Sequence, residues 1–175
     1  MPTPDRAELL SALADLTPEN FEATALAVFR YQAATNPLFA RWLHLLARDP
    51  LSVRRLSEIP CLPIRFFKTM DIKSGQWQEQ TVFTSSATTA QTPSRHLVRH
   101  LDHYLLNTRK GFAEQYGPPE NWCYLALLPA YLERSGSSLV VMADDLISRS
   151  PYVQSGFFLH DFERLRDTIQ ACQAQ

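Results

Sequence analysis

The sequence predicts an α/β fold in which N-terminal helices precede a mostly parallel sheet with flanking helices. Helical periodicity dominates the first part of the chain, and three short apolar runs follow at residues 81–85, 122–129 and 137–143. Such runs, bounded by Gly, Pro, Ser or Asn, are typical of strands covered on both faces. A helical pattern separates the first two runs, and the order strand, helix, strand indicates a βαβ unit.

The length of the chain favours one core. A domain of 175 residues buries roughly 70% of the surface that its unfolded chain exposes. We therefore expect a single domain over 1–175, with a helical segment at 1–58 and an α/β segment at 59–175.

Prolines and capping residues divide the helical segment. After a helix over 5–14, Thr17 is expected to be the N-cap of a second helix, with Pro18 in its first turn. Asn36 followed by proline ends that helix, and a third helix follows over 38–46. Further along, two prolines interrupt an apolar stretch whose expected core anchors are Phe66 and Phe67, and a last helix covers 161–173.

Charge and composition limit the classes of binding partner and the cellular compartment that the sequence predicts. The net charge is −1, from 17 Lys and Arg against 18 Asp and Glu, so no long-range field favours nucleic acid or an anionic membrane. A basic start followed by an apolar stretch is absent, as is any run of about 20 apolar residues. These features predict a cytoplasmic protein. Three widely spaced cysteines, Cys61, Cys123 and Cys172, argue against a disulfide framework or a zinc site and are expected to be buried or idle thiols.

The densest group of hydroxyl side chains lies in the stretch TVFTSSATTAQTPSRHLV, residues 81–98. A strand ending near Ser85 is expected to run into a loop and then into a helix capped by Ser94. Loop amides, hydroxyls and the helix N-terminus could together bind phosphate oxygens, with Arg95 and Arg99 adding charge. The alternative is a plain capped connection whose hydroxyls satisfy the backbone. The Walker pattern GxxxxGK[ST] is absent.

A row of histidines follows on the same expected helix. His96, His100 and His103 are separated by four and three residues and so share one face of a helix. No Asp, Glu or Cys joins that face, and zinc sites need further ligands. A polar helix flank is the favoured interpretation, and we predict no metal site.

Two further groups suggest chemistry less strongly. Ser135, Ser137 and Ser138 flank a glycine but lack the GxSxG elbow of serine hydrolases. Asp144 and Asp145 could bind magnesium, although adjacent carboxylates after a strand more often cap the next helix. Neither group is assigned a catalytic role, and no catalytic residue is identified.

Four ordered blocks carry a resemblance to a known family. IPCLPIRFFKTMDIKSG, VFTSSATTAQTPSRH, LALLPAYLERSGSSLVVM and SGFFL resemble the acyl-protein synthetase family, the long-chain-fatty-acid luciferin-component ligases of bacterial luminescence operons. That family belongs to the adenylate-forming acyl and aryl ligase superfamily. The likeness covers residues 59–159, and it implies that this chain corresponds to the N-terminal portion of an adenylating domain.

The resemblance implies an enzyme that uses ATP and Mg²⁺ to convert a carboxylic acid, such as a fatty acid, into an acyl adenylate for transfer to a protein thiol. The superfamily's phosphate loop, [ST]-[ST]-G-[ST]-[ST]-G, matches at Ser85, Ser86, Thr88 and Thr89. These residues would bind the ATP phosphates. Implied partners are the acid, an acyl-donor or acyl-acceptor protein, or a missing C-terminal half.

Two departures from the family pattern leave a second function open. Ala87 and Ala90 stand where the family has glycines, which reach positive φ and let the backbone approach phosphate. Family members are also about twice as long. The alternative to the ligase is a noncatalytic descendant that binds an acyl group, a nucleotide or a partner protein.

Overall fold

A computed structural model describes residues 4–85, 92–129 and 136–174. The chain divides into two compact units, residues 1–77 and 78–175, which are called the N-terminal and the C-terminal unit below. Both helices and strands are present, as expected for an α/β protein. The assignment of the whole chain to a single domain stays a prediction.

The N-terminal unit is helical. Its elements are α1 (Arg6–Ala14), α2 (Phe21–Thr35), α3 (Pro37–Leu45) and two 3-10 turns, Leu56–Glu58 and Ile64–Lys68. Asn36 ends α2 and caps α3, because its side-chain oxygen accepts the Phe39 N–H at 3.1 Å. The helix boundary predicted from Asn36 and the following proline is confirmed.

The start of α2 differs from the prediction. Thr17 is not the N-cap, and the helix begins at Phe21 with Asn20 in the N-cap position. The Asn20 side chain accepts the Thr17 N–H at 2.8 Å and donates to the Asp15 carbonyl at 2.9 Å. These two bonds hold residues 15–20 in a turn, so the Thr-Pro pair belongs to that turn rather than to the helix.

One contiguous apolar core stabilises this unit. Helices α2 and α3 pack together, with Phe29 against Phe39 edge to face at a centroid distance of 5.8 Å. The five buried core residues are Leu26, Phe29, Phe39, Leu43 and Val53. Phe66, one of the two expected anchors, is half-buried and lies edge to face with Trp42.

The C-terminal unit alternates strands and helices. Its elements are β1 (Thr81–Thr84), β2 (Arg95–Val98), α4 (Leu101–Tyr116), a 3-10 turn (Pro119–Asn121), β3 (Leu125–Ala126), α5 (Ser138–Arg149), β4 (Gly156–Phe157) and α6 (Phe162–Gln173). Strand β1 pairs with β2 in antiparallel fashion, and β3 pairs with β4 in parallel. Phe83, Val98 and Val141 form its buried core cluster.

The helix expected from Ser94 is wrong at its N-terminal end. Residues Arg95–Val98 form β2, which pairs with β1 in the register Thr81↔Val98, and the helix begins only at Leu101. Leu97 and Val98 are buried in β2, and Val98 packs with Phe83 in the core cluster. This long-range pairing overrides the helical periodicity of the isolated segment.

The strand expected at residues 137–143 is also wrong. These residues begin helix α5, whose N-cap Ser137 accepts the Val140 N–H through its side chain. As a result, the strands in the described ranges form two separate two-stranded sheets instead of one mostly parallel sheet. Among the described residues, no helix has the length and apolar character needed to cross a membrane.

Candidate functional site

The described part of the C-terminal unit contains an apolar cavity of about 430 Å³. Helices α4 and α5 and strand β3 line this open cavity with aliphatic and aromatic side chains. Its lining residues are Phe112, Tyr116, Cys123, Tyr124, Leu125, Ala126, Leu128, Leu139, Met142, Ala143, Leu146 and Ile147. Cavities of this volume and composition are typical of small-molecule sites.

Helix α5 supplies one wall because of its residue spacing. The lining residues that it contributes, Leu139, Met142, Ala143, Leu146 and Ile147, recur at the three- and four-residue intervals that share a helix face. In a strand these residues would point to opposite faces, so the predicted strand at 137–143 did not indicate a common wall. The three- and four-residue spacing is the sequence feature that predicts this wall.

A salt bridge fixes α5 against α4. The Asp145 carboxylate accepts two hydrogen bonds of 2.9 Å from the Arg109 guanidinium and one of 3.1 Å from Arg149. The Asp145 side chain is 10% exposed, so these bonds replace water around a mostly buried charge. The acidic pair therefore lies inside a helix and does not cap the next one, and Asp145 is engaged with arginines.

The Tyr124 hydroxyl, at the cavity wall, is engaged with the backbone. The Tyr124 hydroxyl donates to the Pro119 carbonyl at 2.7 Å, which leaves its ring on the cavity wall. Burial raises the pKa of Tyr124, and the negative charge of Glu120 raises it further, so the phenol stays neutral around pH 7. The lining therefore presents carbon surface, suited to an apolar ligand group.

Ser85, the first of the predicted phosphate-binding residues, directly follows β1. Ser85 donates its N–H to the Ser94 carbonyl at 3.1 Å, and its Oγ accepts the Ser94 N–H at 2.9 Å. This pair of bonds closes the ladder of β1 and β2. The other three predicted phosphate-binding residues, Ser86, Thr88 and Thr89, lie outside the described residues.

A helix N-terminus does lie beside this strand end, but it belongs to α5. The Thr84 N–H donates to the Gly136 carbonyl at 2.8 Å, and Ser137 then caps α5. Gly136 has a φ of +82°, and a Cβ there would lie 3.3 Å from the Thr84 Oγ1. A glycine is therefore favoured where the chain enters α5.

The expected histidine row is not formed on one helix. His96 lies in β2, His100 is the N-cap residue of α4, and His103 lies in its first turn. The rings of His100 and His103 are 5.4 Å apart. Within the described ranges, no group of three or more His, Cys, Asp or Glu is arranged to hold a metal ion.

The remaining candidates have structural positions. Arg95 lies in β2 and Arg99 directly after it, so neither is in the first turn of a helix. Ser137 caps α5 and Ser138 is its first residue. Ser135 lies outside the described residues.

Two of the three cysteines lie in the C-terminal unit. Cys123 lines the apolar cavity and Cys172 lies in the last turn of α6. Both thiols are free and half-buried, whereas Cys61 is exposed. Burial raises the pKa of the Cys172 thiol, and the Cys123 side chain raises it further.

Comparisons with known proteins give no match. The chain matches no protein-family model, no curated protein and no solved structure.

Proposed function

We propose that this chain takes part in the ATP-dependent activation of a carboxylic acid, in particular a fatty acid, with the apolar cavity of the C-terminal unit binding the acyl chain. The observation that carries this proposal is the cavity itself, about 430 Å³ in volume and lined mainly by aliphatic and aromatic side chains. Each methylene group that leaves water for such a lining contributes about 0.8 kcal/mol. An alkyl chain is therefore the ligand group that suits it best.

The resemblance to acyl-protein synthetases supplies the reaction. A carboxylate oxygen of the acid would attack the α-phosphorus of ATP, forming the acyl adenylate and releasing pyrophosphate, before transfer of the acyl group to a protein thiol. In this proposal Ser85, Ser86, Thr88 and Thr89 bind the phosphates, and ATP would carry Mg²⁺ with it.

The surroundings of Ser85 are compatible with that role. Its Oγ accepts one hydrogen bond from the Ser94 N–H, and a hydroxyl that accepts can still donate its own proton to a phosphate oxygen. The bond from the Thr84 N–H to the Gly136 carbonyl also brings the start of α5 to the same strand end. The positive end of the α5 dipole then favours negative charge there.

A noncatalytic acyl-binding protein is the second candidate. In this alternative the same cavity binds the acyl chain, and the protein binds no ATP. Ala87 and Ala90 favour it, because an alanine in a left-handed conformation costs about 1–2 kcal/mol and its methyl group takes up space near phosphate.

The cavity is tested with Ala143→Leu, which adds three carbons to its wall. Competition between dodecanoate and a fluorescent fatty-acid probe should show binding weaker by about 15- to 60-fold, since two or three methylene groups lose their contact with the wall at about 0.8 kcal/mol each. The matched control is Ala113→Leu, the same change on the exposed side of α4. Equal affinity in both variants would place the ligand elsewhere.

The reaction is tested by dodecanoate-dependent exchange of labelled pyrophosphate into ATP. It is measured in the natural chain and in an Ala87→Gly, Ala90→Gly double variant. Exchange in either protein supports the ligase, and exchange only in the double variant identifies a ligase disabled by its alanines. Fatty-acid binding without exchange in either protein selects the noncatalytic candidate.

A further inference from the structure

We propose that the apolar cavity of the C-terminal unit selects a medium-chain acid of about 10 to 12 carbons, which it binds with the carboxylate at the start of α5 and the terminal methyl group beside Phe112 and Tyr116. This inference rests on the proposed function, which assigns the acyl chain to the cavity and the nucleotide phosphates to the strand end at Ser85. It adds a direction of binding, a length limit and a residue, Tyr116, that contacts only the longer acids.

One end of the cavity adjoins the strand end that carries Ser85. The Thr84 N–H, one residue before Ser85, donates to the Gly136 carbonyl at 2.8 Å. Gly136 lies directly before the N-cap of α5, and Leu139, in the first turn of that helix, lines the cavity. A carboxylate that reacts with ATP bound at Ser85 must therefore lie at the Leu139 end, and its alkyl chain must extend along α5.

Helix α4 runs in the same direction as α5. In the first turn of α4, the Tyr104 hydroxyl donates to the Ser138 carbonyl at 2.9 Å. Further along both helices, the Arg109 guanidinium donates to the Asp145 carboxylate at 2.9 Å. Residues that follow Arg109 in α4 therefore lie beside the C-terminal part of α5. This places Phe112, which lines the cavity, at the end opposite to the predicted carboxylate position.

A group of aromatic residues marks this opposite end. The centre of the Phe112 ring lies 5.0 Å from that of Tyr116 and 6.3 Å from that of Trp122. Ser150, the C-cap residue of α5, donates its hydroxyl to the Trp122 carbonyl at 2.8 Å. Cys123 follows Trp122 and also lines the cavity. The two ends of the cavity are thus separated by most of the length of α5.

The helix rise sets the length of alkyl chain that contacts the cavity. The lining residues of α5 extend from Leu139 to Ile147, which is about 12 Å at about 1.5 Å per residue. A staggered alkyl chain with bonds of about 1.5 Å advances by about 1.25 Å per carbon, so about nine or ten chain carbons span this distance. A longer chain extends past Tyr116, which is 61% exposed. Its additional methylene groups stay in water and contribute little.

The length limit is tested on the full chain with saturated acids from hexanoate to hexadecanoate, each competing with the fluorescent fatty-acid probe. Affinity should rise by about fourfold for each methylene group up to about 10 to 12 carbons and should then level off. An affinity that keeps rising at the same rate through hexadecanoate would overturn the length limit and leave the proposed function standing. If none of the acids bound, the proposed function would fail and this inference with it.

The direction of binding is tested with a matched pair of variants, Tyr116→Ala and Leu139→Ala, at opposite ends of the cavity. Tyr116→Ala should weaken dodecanoate binding by about three- to tenfold and leave hexanoate binding unchanged, because the shorter chain ends before Tyr116. Leu139→Ala should weaken the binding of both acids by the same factor. The reverse pattern, or an equal effect of Tyr116→Ala on both acids, would overturn the proposed direction.

Alkylation of Cys123 measures the same direction without a substitution. Cys123 is half-buried at the aromatic end of the cavity, and the exposed Cys61 is an internal control. Dodecanoate should slow the reaction of Cys123 with N-ethylmaleimide, measured by peptide mass spectrometry, and leave Cys61 unchanged. Hexanoate at the same fractional occupancy should not slow it, because its chain ends before Cys123. Equal protection by the two acids would show that the chain does not bind in the proposed direction.

Discussion

The two units stabilise their folds by different means. In the N-terminal unit, α2, α3 and the segment that follows share one core of five buried apolar residues, Leu26, Phe29, Phe39, Leu43 and Val53. The C-terminal unit has a smaller contiguous cluster of three, Phe83, Val98 and Val141. Its other buried apolar residues, Leu97, Val140, Leu146 and Phe158, lie outside that cluster. Many of its other apolar side chains line a cavity of about 430 Å³, compared with about 230 Å³ for an apolar cavity beside α1 and α2.

This difference indicates how the C-terminal unit keeps a cavity. Apolar side chains that line open space make fewer dispersion contacts than packed ones. Polar ties then hold the surrounding elements in place, such as the bonds from Arg109 to Asp145 and from the Thr84 N–H to the Gly136 carbonyl. We expect mutations to destabilise the N-terminal unit mainly through lost packing and the C-terminal unit mainly through lost polar or backbone geometry.

The largest expected effect is in the N-terminal core. Phe29 is 2% exposed, and Phe29→Ala should lower the unfolding free energy by about 3–5 kcal/mol because it removes buried surface and leaves a cavity. Urea unfolding followed by hydrogen-exchange mass spectrometry would report this for each unit separately. The control Phe21→Ala, in the same helix at a half-exposed position, should cost about 1 kcal/mol. Similar costs at both positions would contradict a packed core.

The second largest expected effect concerns the salt bridge between Arg109 in α4 and Asp145 in α5. Asp145→Asn should destabilise the C-terminal unit by about 1–3 kcal/mol, because Arg109 loses its charged partner at a mostly buried position. Hydrogen exchange in α4 and α5 should accelerate while α2 is unchanged. Asp144→Asn, the adjacent exposed position, should have little effect. If the two variants behave alike, the salt bridge does not stabilise this unit.

Substitutions at two glycines distinguish the cost of backbone strain from the cost of a steric clash. Gly136 and Gly117 have nearly the same φ, +82° and +81°, but only at Gly136 would a Cβ meet neighbouring atoms, at 3.3 Å and 3.4 Å. Either Gly→Ala change should cost about 1–2 kcal/mol for a left-handed alanine, with a larger loss at Gly136. Thermal melting of the two variants measures the difference. A Gly117→Ala protein that is less stable than Gly136→Ala would argue against a close approach of α5 to β1.

The smallest effect is a pH dependence in the N-terminal unit. The Glu58 carboxylate accepts the N–H groups of Arg54 and Arg55, and these bonds lower its pKa. Its contribution to stability is therefore present above the ordinary carboxyl pKa and is lost as the pH falls through the lowered value. Glu58→Gln should reduce the difference in melting temperature between about pH 7 and about pH 3. An unchanged difference would show that other carboxylates account for it.

Local signals were sufficient where neighbouring residues satisfy the backbone. Asp5 caps α1, Asn36 separates α2 from α3, and Asp161 caps α6, each through its own side chain. The apolar run that forms β1 was also predicted correctly, at Thr81–Thr84. These elements are encoded within a few residues.

Sequence patterns that are compatible with both a strand and a helix led to wrong predictions. The run beginning at Ser137 suits a buried strand as well as a buried helix, and only its cap and its contacts with α4 select α5. Residues 95–98 continue a helical pattern in the sequence, but they form β2 because they pair in antiparallel fashion with β1. Because residues 137–143 were predicted as a strand and not as the start of α5, the sequence did not predict the cavity wall that α5 forms.

The sequence by itself determined the α/β character, the N-terminal helices and strand β1, because caps, prolines and periodicity act over short distances. Tertiary structure decided which helix starts beside Thr84 and which side chains line the cavity. These features join residues that are distant in sequence. Their energies come from contacts that exist only after the chain has packed.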